Sequence, residues 1–214
     1  MLDFGILMHN RNNDYKLDLL DDHNNMIIKS CSDYDKYKKD ELRLFCHFHA
    51  RYLLPTLELI EFLDPLIKKE DTLEIGAGCG DLGRNLGIRM TDNYCQEIPE
   101  VKLIYTLTSQ PTIAYAKDVE KIDAIEAIKK YKPKNVIGAW VTQWADCDLS
   151  VPKGNGSIYG IKENEILDLV DNYILIGSEK IHGTKKIMTI PHETVNIDFV
   201  RSRCDDNKIW IWRK

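Results

Sequence analysis

The sequence predicts an α/β protein built on a mostly parallel sheet that ends in an antiparallel hairpin. Short buried apolar runs alternate with amphipathic helical stretches, which is the pattern of parallel strands joined by crossover helices. A glycine-rich turn at 76–80 directly follows the apolar run 72–75, so a strand passes sharply into a helix there. Two stretches with period-two alternation, 194–200 and 208–212, end the chain, with 205–207 as the predicted turn between them.

The composition is that of a soluble globular protein. The chain has 214 residues, of which 43% are hydrophobic and 29% charged, enough for one domain with a sizeable core. The net charge of −5 and the pI of about 5.7 give no global attraction to nucleic acid, although a local basic face remains compatible with a nucleic-acid substrate. No apolar run approaches the roughly 20 residues of a membrane-spanning helix, so no membrane partner is expected.

The cysteines indicate a reducing compartment. Six cysteines occur at irregular spacing without a Cys-x-x-Cys pair, and the N-terminus shows no signal peptide, so a cytoplasmic, intracellular location is expected. The run Cys46-His47-Phe48-His49 resembles a metal-binding cluster. Adjacent residues on a helix point in different directions and cannot converge on one ion, so we expect no metal site.

The first third of the chain is expected to contain an arm and two helices. From about residue 40 to 68, apolar residues recur at intervals of three and four, and Pro55 is expected either to end or kink the first helix or to open the second as its first residue. The polar stretch 1–40 fits either two short strands or a partly ordered arm. We therefore divide the chain into 1–69, the arm and capping helices, and 70–214, one compact unit.

The glycine-rich turn is the strongest candidate for a ligand site. A strand, a glycine-rich turn and a helix N-terminus form a cofactor cradle, because glycine lets the backbone approach a ligand closely. The turn has the pattern acidic-x-Gly-x-Gly-x-Gly, from Glu74 through Gly76, Gly78 and Gly80. Counted from Gly76, the dinucleotide-binding pattern Gly-x-Gly-x-x-Gly is broken, because Asp81 occupies its third glycine position. The alternative is that these glycines serve only the turn.

A second acidic residue follows at a suitable distance. The stretch 81–86 is expected to form a helix ending at Gly87, and the next strand finishes at Asp92. Asp92 lies 18 positions after Glu74, close to the roughly 20 expected for a ribose-binding acid. A carboxylate there accepts hydrogen bonds from both ribose hydroxyls. The alternative is a turn aspartate beside Asn93.

Two further strand ends are expected to face the same site. Asp123-Ala124 follows the short run 119–122 and opens a helical pattern, where Asp123 is also a favourable N-cap. The apolar run 136–141 is typical of a strand buried on both faces. Its carboxyl end is expected to direct four residues into the site: Trp140, Thr142, Gln143 and Trp144. The following stretch, 146–160, is a loop by composition.

These motifs, in this order, resemble those of the class I S-adenosylmethionine-dependent methyltransferases over about 73–214. The resemblance implies a Rossmann-like, mostly parallel seven-stranded sheet with a C-terminal antiparallel hairpin and N-terminal capping helices. It implies S-adenosylmethionine as the cofactor, with Asp123 and Ala124 at the adenine edge. The cofactor-binding residues that follow from it are Glu74, Gly76, Ala77, Gly78, Gly80, Asp92, Asp123, Ala124 and Trp140.

The expected function is methyl transfer to an unidentified small molecule, protein or nucleic acid. A narrower resemblance, carried by 51–55, 123–124 and 131–133, is to a group of uncharacterised methyltransferase-like proteins. The Asn/Asp-Pro-Pro-Tyr/Phe signature of many amino-group methyltransferases is absent, and Val-Thr-Gln-Trp at 141–144 stands in its place, which disfavours the usual route of base N-methylation. No catalytic residue is assigned; four candidates for a general base are His49, His182, Tyr52 and Glu179.

Two alternatives remain open at this point. One is a methyltransferase-fold protein that binds its cofactor, or a partner protein, without catalysis. The other is an NAD-binding oxidoreductase, which the broken dinucleotide pattern and the position of the turn about 70 residues into the chain disfavour.

Overall fold

Eleven strands and eight helices make up the described part of the chain. The computed structural model describes residues 17–145 and 156–214. The strands are β1 (Leu53–Leu54), β2 (Thr72–Ile75), β3 (Arg89–Asp92), β4 (Glu120–Lys121), β5 (Asn135–Ala139), β6 (Gln143–Trp144), β7 (Gly156–Ser157), β8 (Asn172–Ser178), β9 (Glu193–Asn196), β10 (Arg201–Ser202) and β11 (Asn207–Arg213). The helices are α1 (Cys31–Tyr34), α2 (Lys39–Phe48), α3 (Leu57–Leu63), α4 (Asp81–Leu86), α5 (Pro99–Leu107), α6 (Ala124–Tyr131), α7 (Glu163–Leu169) and α8 (Glu179–His182).

The central sheet has seven strands in the order β4-β3-β2-β5-β8-β11-β9. Strands β4, β3, β2, β5 and β8 are mutually parallel, and β11 runs antiparallel between β8 and β9. This confirms the predicted Rossmann-like sheet of the class I methyltransferase type, with its antiparallel C-terminal pairing. The chain moves outward from β2 to β4 and then returns to β5, so the strand order reverses between β2 and β5. In open α/β sheets, ligands bind at the carboxyl ends of the strands at such a point.

Alternate residues of the central strands supply the cores on the two faces of the sheet. Tyr173 and Leu175 of β8 pack with α6 and α7 residues on one face, while Ile174 and Ile176 pack on the opposite face with α3 and α4. Strands buried on both faces therefore read as continuous apolar runs in the sequence. Trp210 and Trp212, 2% and 3% exposed, both lie in the core on the face that holds Tyr173 and Leu175, as their alternation predicts.

The C-terminal pairing differs in detail from the predicted hairpin. Strand β9 ends at Asn196, and the extended stretch predicted to continue to residue 200 instead leaves the sheet. The reason lies in its contacts with the N-terminal segment: the carbonyl of Phe199 accepts the Thr56 hydroxyl at 2.7 Å, and β10 pairs with β1. The predicted tight turn at 205–207 was therefore wrong, because the whole of 197–206 connects the two strands.

The two helices predicted before the glycine-rich turn are α2 and α3, and their apolar stripes are only partly buried, because Phe48 and Leu57 are exposed. Pro55 neither ends α2 nor opens α3; it precedes Thr56, whose hydroxyl caps α3. In the arm, the described residues form α1 and an isolated antiparallel bridge between Leu20 and Met26. The remainder of the predicted arm, residues 1–16, and most of the predicted loop, residues 146–155, lie outside the described residues. No helix in the described ranges is long and apolar enough to cross a membrane.

Candidate cofactor site

A cavity of about 390 Å³ opens at the carboxyl ends of β2, β3 and β5. Eight of the nine sequence-predicted cofactor residues line it: Glu74, Gly76, Ala77, Gly78, Asp92, Asp123, Ala124 and Trp140. Gly80 is not among the lining residues. A Cβ on Gly80 would lie 2.9 Å from side-chain atoms of both Arg84 and Val119, so this glycine, with φ of +72°, serves the entry to α4.

The glycine-rich turn brings its backbone against the end of β5. Gly76 has φ of +61°, and a Cβ there would lie 2.8 Å from Cγ1 of Val141. The amide of Ala77 donates to the carbonyl of Thr91 at 3.0 Å, which ties the turn to β3. Glycine is required at Gly76 both by its left-handed conformation and by this close approach. The turn is therefore held between β3 and the end of β5.

Asp92 lies at the carboxyl end of β3 with its carboxylate against the turn. Its Oδ2 accepts the Gly78 amide at 2.9 Å, and its Oδ1 accepts the Tyr94 amide at 2.9 Å. Burial raises the pKa of Asp92, and both amides oppose that rise. Each carboxylate oxygen has a second lone pair, so Asp92 retains capacity to accept two ligand hydroxyls.

Glu74 lies beneath the turn. Its Oε2 accepts the Gly83 amide at 2.8 Å, and a Cβ on Gly83 would lie 2.4 Å from that same oxygen. Burial raises the pKa of Glu74 to about 8, and the amide of Gly83 lowers it only in part. Glu74 therefore holds a proton near neutral pH and braces the turn against α4 as a largely uncharged group.

We expect the Glu74→Gln variant to flatten the pH dependence of stability. The folded-state pKa of about 8 exceeds the ordinary value of 4.5, so the folded protein retains a proton that the unfolded chain releases. The stabilisation is complete below the unfolded pKa and is lost as pH rises through the folded pKa. Between these two pKa values, the free energy of unfolding of the wild-type protein should fall relative to that of the Glu74→Gln variant. The expected slope is on the order of 1 kcal/mol per pH unit. Urea unfolding across that window measures it, and parallel profiles for the two proteins would refute the assignment.

Asp123 and Ala124 occupy the junction of β4 and α6. Oδ1 of Asp123 accepts the Ile125 amide at 2.9 Å, which confirms the predicted N-cap role. The side chain of Asp123 is exposed at the cavity wall, whereas Ala124 is 7% exposed. The capping bond holds Asp123 at the cavity wall.

Trp140 follows β5 in a left-handed conformation with φ of +58°. A non-glycine residue in this region carries strain of about 1–3 kcal/mol, and such residues cluster at functional sites. The Trp140 ring lies 6.0 Å from that of Tyr52 and edge-on to His182 at 5.2 Å, measured between ring centroids. Its indole Nε1 is buried without a hydrogen-bond partner among the described residues.

The residues after Trp140 only partly follow the prediction. Val141 and Thr142 line the cavity, as Trp140 does. The prediction was wrong for Gln143 and Trp144, which form β6, pair with β7 and line a separate surface depression instead. The turn at Trp140 reorients the chain so that the strand does not continue along the cavity wall.

Residues 93–117, whose role could not be assigned from the sequence, cover the glycine-rich turn. Gln96 organises the segment: its Oε1 accepts the Ile113 amide at 2.8 Å and its Nε2 donates to the Tyr105 hydroxyl at 3.0 Å. Tyr94 and Tyr115 stack at 3.9 Å. Ile113 lies over Gly78, and Tyr105 and Tyr115 line the cavity. The segment therefore forms an aromatic cover over the cradle.

A buried arginine, which sequence reasoning did not single out, joins the N-terminal region to the turn. Arg51 is 3% exposed, and its Nε lies 2.7 Å from Oδ2 of Asp81. Its other nitrogens donate to the Asn24 carbonyl at 2.6 Å and to the Cys79 sulfur at 2.6 Å. Asp81 also accepts the Met26 amide at 3.1 Å. No local pattern signals these contacts, because the partners are separated by about 30 residues or more in the chain.

A second buried ion pair fixes the end of β5. Lys185 donates to both oxygens of Glu163, at 2.9 and 2.8 Å, and to the carbonyl of Val141 at 2.7 Å. The Tyr173 hydroxyl donates to the same carboxylate at 2.8 Å. Burial lowers the pKa of Lys185, and Glu163 opposes that change. This network holds the backbone beside Trp140 in place.

Of the four candidate bases, Tyr52 and His182 line the cavity, whereas His49 and Glu179 do not. Burial, reinforced by the Lys185 charge, lowers the pKa of His182 to about 4, so its ring is neutral at pH 7. Its Nδ1 lies 3.0 Å from the Ser178 amide and 3.2 Å from the Ser178 carbonyl. In residues 17–145 and 156–214, no group of three or more His, Cys, Asp or Glu is arranged to hold a metal ion.

Comparisons with known proteins add three distant structural neighbours. No family model and no curated protein matches the sequence. An rRNA methylase from Streptococcus thermophilus is similar at a TM-score of 0.40 and 10% identity, over 72% of this chain and 93% of that one. An uncharacterized protein from Listeria monocytogenes serotype 4b is similar at a TM-score of 0.34 and 14% identity, over 72% of this chain and 66% of that one. A DNMT2 mutant from Spodoptera frugiperda is similar at a TM-score of 0.34 and 13% identity, over 67% of this chain and 49% of that one. Because these TM-scores lie below 0.5, the fold assignment rests on the strand order.

Proposed function

We propose that this chain is an S-adenosylmethionine-dependent methyltransferase whose cofactor occupies the cavity above the glycine-rich turn. The observation that carries the proposal is the Asp92 carboxylate, held by the Gly78 and Tyr94 amides at the end of β3. A buried carboxylate at this end of the second strand suits a ribose diol. The strand order supports the same assignment.

The charges around the turn favour a sulfonium cofactor over a dinucleotide. A pyrophosphate binds to free backbone amides at a helix N-terminus. Here the Gly78 amide is engaged by Asp92, and the buried Asp81 carboxylate stands at the start of α4. Asp92 and Asp123 line the cavity and form no ion pair within the described ranges, whereas the Asp81 carboxylate is paired with Arg51. The two unpaired carboxylates disfavour the dianionic pyrophosphate of NAD and accommodate a ligand with positive sulfur and ammonium groups.

Each group of lining residues has a definite task in this proposal. Asp92 would accept the ribose hydroxyls, and the backbone of Gly76 to Gly78, which lines the cavity, would lie against the cofactor. Asp123 and Ala124 would lie beside the adenine. Trp140 would lie at the end of the cavity where the methyl group is transferred. When bound, the cofactor supplies an electrophilic methyl group. The protein aligns an acceptor with it, and proximity and orientation account for much of the rate in such reactions.

We expect the Asp92→Asn variant to bind S-adenosylhomocysteine about 10-fold more weakly or worse, because an amide accepts only through its single oxygen. Isothermal titration calorimetry measures the dissociation constant. Asp118→Asn is the matched control, since that carboxylate is half-exposed, pairs with Arg84 and does not line the cavity. Equal affinity of the wild-type protein and the Asp92→Asn variant would contradict the ribose assignment.

A further inference from the structure

One end of the cavity is built from aromatic rings and a single arginine. We call this the aromatic end and define it by Tyr52, Tyr105, Trp140, His182 and Arg203, all of which line the cavity. Because Trp140 directly follows β5, this end adjoins the carboxyl end of the central strand. It is where a methyl acceptor would meet the cofactor, so the inference rests on the proposed function.

The pairing of β1 with β10 places Arg203 beside Tyr52. Leu53 and Ser202 are paired residues in this antiparallel ladder, and the Arg203 amide donates to the Tyr52 carbonyl at 3.3 Å. The Arg203 guanidinium carbon lies 5.2 Å from the centroid of the Tyr52 ring. Cation–π contact of this kind orients the planar guanidinium group. The backbone ladder and the ring together fix the arginine at the cavity wall.

Arg203 forms no ion pair with any residue in the described ranges. The other two cations of the cavity are neutralised, because Arg51 pairs with Asp81 and Lys185 pairs with Glu163. The carboxylates that follow Arg203 in the chain are engaged elsewhere. Asp205 binds Arg43 at 2.7 Å, and Asp206 accepts the Ser178 hydroxyl at 2.8 Å and the Lys180 amide at 2.7 Å. The aromatic end therefore carries one positive charge available to a ligand.

The same features disfavour a cationic acceptor. Aromatic rings alone would suit a methylated ammonium group. Here Arg203 already contacts the Tyr52 ring, and its charge repels a second cation. The carboxylates that line the cavity also have partners away from this end: Glu74 at Gly83, Asp81 at Arg51, Asp92 at Gly78 and Tyr94, and Asp123 at Ile125.

We propose that the methyl acceptor is a small planar aromatic carboxylic acid that binds with its carboxylate on Arg203 and its ring against Trp140. A hydroxyl or N–H group on that ring forms the new bond to the methyl carbon while the carbon–sulfur bond breaks, so S-adenosylhomocysteine leaves and the proton passes to solvent. A planar guanidinium matches a carboxylate through two parallel hydrogen bonds. The single positive charge of Arg203 balances the charge of a monocarboxylate, whereas it would leave one negative charge of a phosphate dianion unbalanced. The cavity volume of about 390 Å³ is at the low end for ligand pockets. An acceptor that shares this cavity with the cofactor must therefore be a small molecule.

The test is a calorimetric titration with benzoate, 4-hydroxybenzoate and indole-3-carboxylate, each run beside its neutral amide, with and without saturating S-adenosylhomocysteine. We expect at least one acid to bind 10-fold or more tightly than its amide. Arg203→Gln should remove that preference, and Arg203→Lys should restore part of it. Neither change should alter the affinity for S-adenosylhomocysteine. The matched control is Arg201→Gln, because Arg201 pairs with Asp35 and does not line the cavity.

The outcomes separate this inference from the proposed function. If S-adenosylhomocysteine binds but acids and amides bind equally or not at all, the acceptor assignment is wrong while the cofactor assignment stands. Loss of S-adenosylhomocysteine affinity in Arg203→Gln would place this arginine in the cofactor site and overturn the inference. If S-adenosylhomocysteine does not bind the wild-type protein, the proposed function fails, and the inference about the acceptor falls with it.

Discussion

Replacing Arg51 with Met should lower the free energy of unfolding by about 3–5 kcal/mol, because removal of one partner from a buried ion pair leaves the other uncompensated. Asp81, 7% exposed, would keep Arg84, at 3.7 Å, as its only cationic partner among the described residues. The Asn24 carbonyl would also lose a charged donor. Because Arg51 joins the N-terminal region to the glycine-rich turn, we expect cofactor affinity to fall as well. Urea unfolding monitored by circular dichroism measures the loss of stability.

The control for this variant is Arg43→Met. Arg43 also pairs with a carboxylate, Asp205, but its side chain is 33% exposed, so the change should cost less than about 1 kcal/mol. The double variant Arg51→Met with Asp81→Asn should recover part of the lost stability, because the uncompensated charge is gone. Equal stability of Arg51→Met and Arg43→Met would contradict the importance given to the buried pair.

Replacing Lys185 with Met should also destabilise the protein by about 3–5 kcal/mol. Lys185 donates to both oxygens of Glu163 and to the Val141 carbonyl, so its loss leaves a buried carboxylate with Tyr173 and a buried carbonyl without its donor. The backbone beside Trp140 should then become less ordered. Thermal and urea unfolding measure the effect on stability.

Lys130→Met is the matched control for Lys185→Met. Lys130 pairs with Glu120 at 2.6 Å on the surface, and its removal should change stability very little. Adding Glu163→Gln to Lys185→Met should recover part of the loss. A Lys185→Met protein as stable as the Lys130→Met control would show that the buried network does not hold the end of β5 in place.

The sequence predicted those parts of the fold that depend on local pattern. Apolar runs such as 136–141 mark strands buried on both faces, and the closely spaced glycines at 76–80 mark the turn after β2. The C-terminus of α4 at Gly87 and the N-terminus of α6 at Asp123 follow from capping chemistry. Each of these signals lies within a few residues of the feature that it specifies, so it can be read without knowing the tertiary structure.

The parts that sequence reasoning missed depend on contacts between distant residues. Arg51 and Asp81 are 30 positions apart, and Arg203 meets Tyr52 only because β10 pairs with β1. That same pairing draws 197–202 away from the central sheet and explains why the predicted turn at 205–207 was wrong. Neither Lys185 nor Glu163 carries a local signal of burial in the sequence, because their burial follows from the packing of α7 and the turn at 186–189 against β5 and β8.

The most direct test of the account is calorimetric titration of the wild-type protein with S-adenosylmethionine and S-adenosylhomocysteine, with NAD measured in parallel. The carboxylates around the glycine-rich turn predict micromolar binding of the two sulfur ligands and no binding of NAD. Binding of NAD in preference to both would contradict the assignment of Asp92 and of the turn. Binding of none of the three would contradict the cofactor assignment altogether and leave a methyltransferase fold used for another purpose.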